Sequence, residues 1–380
     1  MKPIKRRLVL NFPGFETIEG ARLLERLDYC ARKTGEIWGF ETSQEFIDAR
    51  DHIICAKQTS NGKTWRVETD LRQFEWHDII GRYERGFPWR FVYNFWRYLA
   101  FFTDGTVVKY LFASNRYGAY SLFPLIFMLG FFAMGMAVAW LLLPVWPLRL
   151  LLAFAIMLLL ARWVGARYYL NKTVGNWGFG RDLVLERSAQ TQARIKGFAS
   201  RLAAEIANAD QDEIVILGHS FGAVLALGAL YEALKLSPNV LDNKRLVFIA
   251  AGNSIPKIAL APKARYWREA MERVGQVKGL LWHEIQTKED IVCFYKTDPF
   301  GLFGIKPTCQ VVIDRVRFEE GMSRDYHKQM SRSAYRIHRQ YVLYYDRRAP
   351  FDVMLRLFGP LSAWEMTVDP SVIERSELLP

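Results

Sequence analysis

EIVILGHSFGAVLALGALYEAL, residues Glu213–Leu234, places a short apolar strand directly before an apolar helix. The run Glu213–Leu217 is continuously apolar after its first residue, which is typical of a strand buried on both faces. Gly218 and Gly222 flank the turn, and the helical pattern continues to Leu236. A buried strand followed by a helix is the repeating unit of a parallel sheet. We therefore expect an α/β fold built on a mostly parallel, doubly wound sheet.

Strand-like and helix-like segments alternate on both sides of a central apolar region. Apolar residues recur at three-residue spacing from Ile18 to Leu27, which predicts a helix. Asn61-Gly62 predicts a hairpin turn, and an amphipathic pattern predicts a helix over Val184–Ala207. The predicted strands are Leu8–Phe12, Ile53–Ala56, Trp65–Val67, Gln73–Ile80, Glu213–Leu217, Arg245–Ala251, Leu280–Thr287 and Gln310–Val316.

Composition restricts the classes of protein to which the chain can belong. Its 380 residues are 51% hydrophobic and 24% charged, which excludes a mostly disordered chain and a fibrous repeat. Lys and Arg outnumber Asp and Glu by 51 to 39, and the net charge of +12 favours an anionic partner. That partner is either nucleic acid or an anionic membrane surface. No nucleic-acid-binding module is visible, and the aromatic content of 14% favours the membrane.

Cysteine usage and the amino-terminal segment bear on the compartment. The four cysteines, at positions 30, 55, 293 and 309, form no C-x-x-C pair. This argues against a zinc site and a disulfide framework, and it fits a reducing compartment. The apolar run near the amino terminus, Leu8–Phe12, is too short for a signal peptide.

A long uncharged segment predicts insertion into a membrane. Tyr117–Leu148 contains no charged residue, and a spanning helix needs about 20 apolar residues. We expect helices at about 120–143 and 148–164, joined by a tight turn at Pro144–Pro147. The second helix is short for a span, which tilt or outward-reaching arginines would accommodate. The alternative is one span plus a re-entrant or buried core helix.

The distribution of basic residues predicts the orientation of this two-helix hairpin. Arginines are frequent before and after it, whereas the tip carries only Arg149. The positive-inside rule therefore places both soluble parts in the cytoplasm. Between Arg82 and Arg116, basic and aromatic residues are interleaved, which indicates a segment lying on anionic lipid. An ordinary aromatic-rich surface helix is the alternative.

The turn after the buried strand contains a candidate catalytic motif. Gly218-His219-Ser220-Phe221-Gly222 matches G-x-S-x-G between a strand and a helix, where the motif presents a nucleophile. Such a turn lifts the serine hydroxyl clear of the sheet, and the helix N-terminus offers N–H groups to a developing oxyanion. We predict that Ser220 is the nucleophile. A plain glycine turn or a decayed site is the alternative.

With this motif, the sequence resembles the α/β-hydrolase superfamily, in the lipase and esterase branch where G-H-S-x-G is frequent. The resemblance covers residues 5–35 and 184–345. The predicted organisation is a hydrolase domain of residues 1–82 and 179–346, an inserted membrane segment of 83–178 and a tail of 347–380.

The resemblance also implies an oxyanion loop after the first strand. Pro13-Gly14-Phe15-Glu16 follows that strand here, although the family often has His-Gly where this chain has Pro-Gly. The implied donors are the main-chain N–H groups of Phe221 and of Phe15, or of Gly14. A plain turn is the alternative for Pro13-Gly14.

The family's chain order of nucleophile, acid and histidine implies the other two members of a triad. Asp290, after the strand Leu280–Thr287, is the implied acid, with Glu289 and Asp298 as alternatives. Only His327 and His338 lie beyond Asp290 in the chain. His338 is followed three residues later by an aromatic residue, as in lipase-like sequences, and it is the implied base, with His327 as the alternative.

The predicted function is a membrane-anchored serine hydrolase that cleaves an ester or thioester, and a lipid ester is the candidate substrate. The resemblance implies neither metal nor cofactor. An acyltransferase using the same serine, and a non-catalytic membrane scaffold with a hydrolase fold, are the alternatives. A transporter is disfavoured because two short helices carry no buried ionisable residue.

Overall fold

The computed structural model describes residues 2–242 and 244–379 and contains a single eight-stranded sheet within them. Its strands, in chain order, are β1 Arg6–Phe12, β2 Glu41–Arg50, β3 Ile53–Asn61, β4 Arg66–Phe74, β5 Glu213–His219, β6 Leu246–Ala251, β7 Leu280–Thr287 and β8 Gln310–Val316. Their order across the sheet is β2-β3-β4-β1-β5-β6-β7-β8. Neighbouring strands in the series β4-β1-β5-β6-β7-β8 pair in parallel. The pairs β2–β3 and β3–β4 are antiparallel. The expected α/β class and mostly parallel sheet are therefore confirmed.

Helices connect and follow these strands. In chain order they are α1 Gly20–Trp38, α2 His77–Glu84, α3 Trp89–Thr103, α4 Thr106–Ala113, α5 Asn115–Ser121, α6 Phe123–Leu142, α7 Trp146–Arg167, α8 Leu170–Val184, α9 Ala189–Ala207, α10 Phe221–Leu236, α11 Ile255–Ala259, α12 Arg265–Gly275, α13 Arg324–Met330, α14 Ala334–Arg339, α15 Val353–Phe358, α16 Ala363–Val368 and α17 Ser371–Glu374.

The chain divides into two compact units. The sheet unit comprises residues up to 77, 189–259 and from 265 onward, and the helical unit comprises 78–188 and 260–264. The predicted membrane insertion, 83–178, falls inside the helical unit. The predicted tail, from 347, falls inside the sheet unit.

The central strands β1, β5, β6 and β7 are buried on both faces, as apolar strands require. On one face, Val9 shares a core with Leu24 and Leu27 of α1 and with Leu357 of α15. On the other face, the ring of Phe12 lies 5.9 Å from that of Phe198 in α9. Successive strand side chains point to opposite faces, so β1 anchors helices on both sides.

Two sequence predictions about local structure are wrong. The predicted strand Gln73–Ile80 overlaps only the end of β4, and His77 begins α2 instead. The predicted helix Val184–Ala207 is divided, because α8 ends at Val184 and α9 begins at Ala189. In both places the apolar pattern continued past an element boundary that tertiary packing sets.

The carboxyl-terminal segment is a structural part of the sheet unit and not a separate tail. The buried guanidinium of Arg7 in β1 pairs with Glu213 at 2.7 Å. It also donates to the main-chain carbonyl oxygens of Leu357, Gly359 and Leu361 at 2.7–3.1 Å. A buried charge needs such partners. Main-chain oxygens of α15 and of the loop that follows it therefore supply the remaining hydrogen-bond partners of Arg7.

Two helices of the helical unit are long and apolar enough to cross a membrane. At a rise of about 1.5 Å per residue, α6 and α7 are each roughly 30 Å long. They pack closely, because a Cβ atom at Gly135 would lie 2.6 Å from the carbonyl oxygen of Ala153. At the turn, Arg149 Nε donates to the carbonyl oxygen of Leu143 at 2.7 Å, and its guanidinium lies 4.0 Å from the Trp140 ring centroid.

The observed turn is tighter than predicted. Instead of joining the two helices, Pro147 lies in the first turn of α7, where a missing N–H is tolerated. The second helix accordingly begins at Trp146 and extends to Arg167, beyond the predicted limits of about 148–164. Its length removes the expected shortfall for a full span.

Candidate functional site

Ser220 lies between β5 and α10 in a backbone conformation that residues other than glycine rarely adopt. Its φ and ψ are 55° and −123°. Its N–H donates to the carbonyl oxygen of Ala251 at 3.1 Å, and its carbonyl oxygen accepts from the N–H groups of Ala223 and Ser254, both at 3.2 Å. Strained residues that neighbouring hydrogen bonds hold in place cluster at functional sites. The turn therefore has the strained strand-to-helix geometry that G-x-S-x-G predicts.

The two glycines of the motif are required by close backbone packing. A Cβ atom at Gly222 would overlap the carbonyl oxygen of Phe12 and lie 2.5 Å from that of Pro13. A Cβ atom at Gly218 would overlap the backbone of Ala223. Backbone atoms cannot move aside as the end of a flexible side chain can. The glycines thus allow α10 to begin directly against the end of β1.

The predicted acid and base are in direct contact. His338 Nδ1 lies 2.7 Å from Asp290 Oδ2, and both side chains are buried. Because a carboxylate only accepts, Nδ1 carries the hydrogen, which leaves Nε2 of a neutral imidazole as a proton acceptor. The other carboxylate oxygen, Oδ1, accepts from the N–H of Val292 at 2.8 Å. The sequence-predicted pair is therefore assembled with the base in the tautomer that a triad requires.

His219 joins this pair to the serine turn. Its Nε2–H donates to the main-chain carbonyl oxygen of His338 at 2.8 Å, and the two imidazole rings are 5.0 Å apart. Burial, and after it the neighbouring His338, lowers the pKa of His219 to about 3. His219 is thus neutral at physiological pH. His219 directly precedes Ser220, so its hydrogen bond connects the serine turn to the backbone of the predicted base.

The Ser220 hydroxyl contacts a second serine. Ser220 Oγ lies 3.4 Å from Ser254 Oγ, and Nε2 of His338 is buried without a hydrogen-bond partner among the described residues. A hydrogen bond between Ser220 and His338, the implied base, is therefore not formed in this conformation. In enzymes without bound substrate, such bonds are often long or poorly aligned.

A buried carboxyl group supports the segment that carries Ser254. Asn253 Nδ2 donates to Glu284 Oε1, while Asn253 Oδ1 accepts from the N–H of Ile255 at 2.7 Å. Trp282 Nε1 donates to Glu284 Oε2 at 3.1 Å. Burial raises the pKa of Glu284 to about 8. A neutral acid in β7 thereby fixes the loop after β6.

The predicted oxyanion residues lie beside each other. The rings of Phe15 and Phe221 are 5.9 Å apart, and Phe221 is the first residue of α10. Glu16 anchors the loop through Arg26 at 2.7 Å. Burial alone would raise the pKa of Glu16, but Arg26 lowers it to about 2. Lys257 Nζ, also buried, is 5.1 Å from the Phe221 ring centroid.

The alternative acids and base have other partners. His327 Nε2 lies 2.7 Å from Glu289 Oε2, so these two alternatives pair with each other. Asp298 Oδ1 accepts from the N–H groups of Phe300 and Gly301, at 2.9 and 3.0 Å, and closes a local turn. The geometry therefore favours Asp290 and His338 over all three.

Sequence reasoning missed Ser254, Lys257 and Glu284. A glutamate within the apolar strand LLWHEIQT was a signal for Glu284. No local pattern marks Ser254, because the pairing of β5 with β6 brings it to Ser220. No cluster of three or more His, Cys, Asp or Glu side chains suited to a metal ion occurs in the described part of the chain. What the arrangement offers is a hydroxyl near a buried acid–base pair.

Comparison of the chain with protein-family models, with curated proteins and with solved structures yields no match. The geometry of the site, read with the sequence, is accordingly the basis for a functional assignment.

Proposed function

We propose that the chain is a serine hydrolase that cleaves an ester or thioester, with Ser220 as nucleophile, His338 as base and Asp290 as the orienting acid. One observation carries the proposal. A buried Asp290–His338 pair, 2.7 Å apart, is tied through His219 to a strained turn that bears Ser220. A hydroxyl on a strained turn and a buried carboxyl–imidazole pair are the groups that acyl transfer by a serine nucleophile needs, and this supports the proposal.

Membership of the α/β-hydrolase superfamily is part of this proposal. The G-x-S-x-G turn between β5 and α10, the chain order Ser220, Asp290, His338 and the mostly parallel sheet all support it. The acid follows β7 and the histidine follows β8, both after the nucleophile strand.

The reaction requires the Ser220 side chain to change its hydrogen-bond partner before chemistry. Ser220 Oγ turns from Ser254 to Nε2 of His338, which takes its proton as Oγ attacks the carbonyl carbon. The N–H groups of Phe221 and Phe15 stabilise the oxyanion, and Asp290 stabilises the imidazolium. The imidazolium then gives that proton to the leaving alcohol or thiol as the acyl–enzyme forms. Water, activated by the same base, releases the acid and restores Ser220.

The proposed setting is a membrane. The helices α6 and α7 would cross the bilayer as a hairpin, with the sheet unit in the cytoplasm, as the arginine distribution indicates. An anionic bilayer is then the proposed partner, and a lipid ester is the proposed substrate class. The proposed residues act without a metal or cofactor.

The observed Ser220–Ser254 contact favours one second candidate, a non-catalytic membrane scaffold with the same fold. The two candidates differ in turnover. We expect the full chain in nanodiscs to hydrolyse p-nitrophenyl acyl esters or the corresponding thioesters. Ser220→Ala and Asp290→Asn should each abolish this activity with unchanged thermal unfolding.

The alternative pair provides a matched control. Glu289→Gln and His327→Gln alter a carboxyl–histidine contact of the same 2.7 Å length. Both variants should retain most of the activity. Full activity in Asp290→Asn, or loss confined to the Glu289 and His327 variants, would contradict the proposed triad. Product analysis with added alcohol would distinguish a hydrolase from an acyltransferase.

A further inference from the structure

One face of α3 exposes large aromatic side chains. Trp89 is 83% exposed, Trp96 is 73% exposed, and Tyr93 between them is also exposed. These residues occupy positions i, i+4 and i+7, so they lie along one side of the helix over two turns. Such a continuous exposed patch marks an interaction surface more often than scattered apolar residues do.

The opposite face of α3 is buried and includes polar side chains. Asn94 Nδ2 donates to the carbonyl oxygen of Tyr83 at 2.7 Å. Arg97 forms an ion pair with Asp182 of α8, and Tyr83 Oη donates to the same carboxylate at 2.8 Å. An amphipathic helix on a water-exposed surface directs its polar face outward. In α3 the outward face is the aromatic one.

The next helix also exposes large apolar side chains. Val108, Leu111 and Phe112 of α4 are exposed, and Phe112 is 89% exposed. We call the exposed side chains of these two helices the α3–α4 aromatic face; it consists of Trp89, Tyr93, Trp96, Val108, Leu111 and Phe112.

The charge around this face is basic. Arg90, Lys109 and Arg116 are exposed on α3, α4 and α5. The segment from 89 to 121 contains one acidic residue, Asp104, which is paired with Arg181. Basic side chains among exposed Trp and Tyr match an anionic lipid surface, because these aromatic rings favour the headgroup region.

Packing within the helical unit places α3 at the ends of the two apolar helices. The guanidinium of Arg162, near the end of α7, lies 5.6 Å from the ring centroid of Phe87, directly before α3. Phe91 of α3 shares a core with Met128 of α6 and Ala161 of α7. The start of α6 and the end of α7 lie on the same side of the hairpin, because the two helices are antiparallel neighbours joined by a short turn.

We infer that the α3–α4 aromatic face binds the headgroup region of an anionic bilayer on the side where α6 begins and α7 ends. The surface is independent of Ser220 chemistry, but it rests on the proposed insertion of α6 and α7. Lipid is the occupant that the basic charge and the continuity with two apolar helices favour over a second copy of the chain.

Site-specific fluorescence tests this surface in the full chain. A nitrobenzoxadiazole label is attached to the cysteine of the Trp96→Cys variant. The labelled chain is then reconstituted into phosphatidylcholine vesicles, with and without phosphatidylserine. Glu36→Cys, at an exposed position of α1, is the matched control. Met134→Cys, an exposed position near the middle of α6, reports insertion of the hairpin. The unsubstituted chain is labelled in parallel to measure any reaction of the four buried cysteines.

The expected result has three parts. A headgroup spin label quenches the label at position 96 at least about twofold more than the label at 36, and phosphatidylserine increases that difference. A spin label deep in the acyl chain quenches position 134 most strongly. Arg90→Glu with Arg116→Glu removes the phosphatidylserine effect at position 96, while Arg201→Glu in α9 leaves it unchanged.

Three results would overturn the inference, and they are distinguishable. Quenching at position 134 without quenching at position 96 would show that the hairpin is inserted but that the aromatic face does not contact lipid. Absence of quenching at both positions would remove the inserted hairpin on which the inference rests. Energy transfer between labels at 96 on separate copies, without lipid quenching, would assign the face to self-association.

Discussion

His219 Nε2 donates to the main-chain carbonyl oxygen of His338 at 2.8 Å. This bond links the residue that precedes the proposed nucleophile to the proposed base, although the two are 119 positions apart in the chain. Burial lowers the pKa of His219 to about 3, so this imidazole is neutral, and in the proposed site its role is to position His338.

Replacement of His219 should impair catalysis through the position of His338. We expect His219→Phe to lower kcat by about fivefold, because one hydrogen bond of about 1 kcal/mol no longer holds the base, while KM changes little. His219→Gln retains an amide N–H donor and should recover much of the loss. Steady-state kinetics on the ester substrate, with thermal unfolding as the folding control, measures both. Equal kcat in wild type and His219→Phe would exclude the positioning role.

Removal of the Ser254 hydroxyl should favour the reactive conformation. At 3.4 Å, the Ser220–Ser254 contact is long for a hydroxyl hydrogen bond, yet it competes with His338 for Ser220 Oγ. We expect Ser254→Ala to increase the rate of fluorophosphonate labelling by about twofold to fivefold. Ser254→Thr, which retains the hydroxyl, serves as the control. A tenfold decrease in Ser254→Ala would instead give Ser254 a direct part in the reaction.

The buried Glu284 should make stability depend on pH. Its pKa is about 8 in the folded chain against an ordinary value of 4.5, so the folded state keeps a proton that the unfolded state releases. This contribution is fully present below pH 4.5 and is lost as pH rises through about 8. Glu284→Gln should flatten the decline in melting temperature between these values. It should also lower stability at acidic pH by about 1 kcal/mol, since an amide replaces one accepting oxygen.

Melting temperatures of both proteins in the same detergent, across this pH range, test the assignment. Parallel declines in wild type and Glu284→Gln would show that another group causes the pH dependence.

The glycines differ in the room around them. Gly222→Ala should destabilise the sheet unit by about 3 kcal/mol, because the new methyl group would overlap the carbonyl oxygen of Phe12. Gly197, in α9, has open space at the corresponding position, and Gly197→Ala should stabilise by up to about 1 kcal/mol through helix propensity. Denaturant unfolding measures both, and a neutral Gly222→Ala would contradict the close packing of α10 on β1.

Much of the sheet could be predicted because its central strands are continuously apolar. The strands β1, β5, β6 and β7 follow from apolar runs such as Glu213–Leu217, and β8, at one sheet edge, follows from the shorter run 311–313. By contrast, β2 reads ETSQEFIDAR and has no apolar alternation, because it lies at the sheet edge with mostly exposed side chains. Its pairing with β3, and not its own sequence, makes it a strand.

The final helices could not be predicted for a different reason. They contain four to six residues each, which is too short for a helical period to be visible. Their position depends on long-range partners such as Arg7, which donates to Leu357.

The site was predictable where chain order carries information. The chain order that the family resemblance implies selected Asp290 and His338, and the contact between these two residues agrees with that selection. Proximity created by the sheet has no sequence signal. Ser254 meets Ser220 only because β5 pairs with β6. Rotamer choice is equally invisible, so the sequence could not indicate that Ser220 Oγ contacts Ser254 and not His338.

Activity-based labelling of Ser220 is the most direct test of the central claim. A fluorophosphonate probe reacts with serines that a neighbouring base activates, so we expect covalent labelling of the full chain in membranes. Mass spectrometry should locate the probe at Ser220, and the label should be absent from Ser220→Ala and strongly reduced in His338→Gln. An unlabelled Ser220 in folded wild-type protein, or equal labelling of wild type and His338→Gln, would contradict a hydrolase site built on Ser220 and His338.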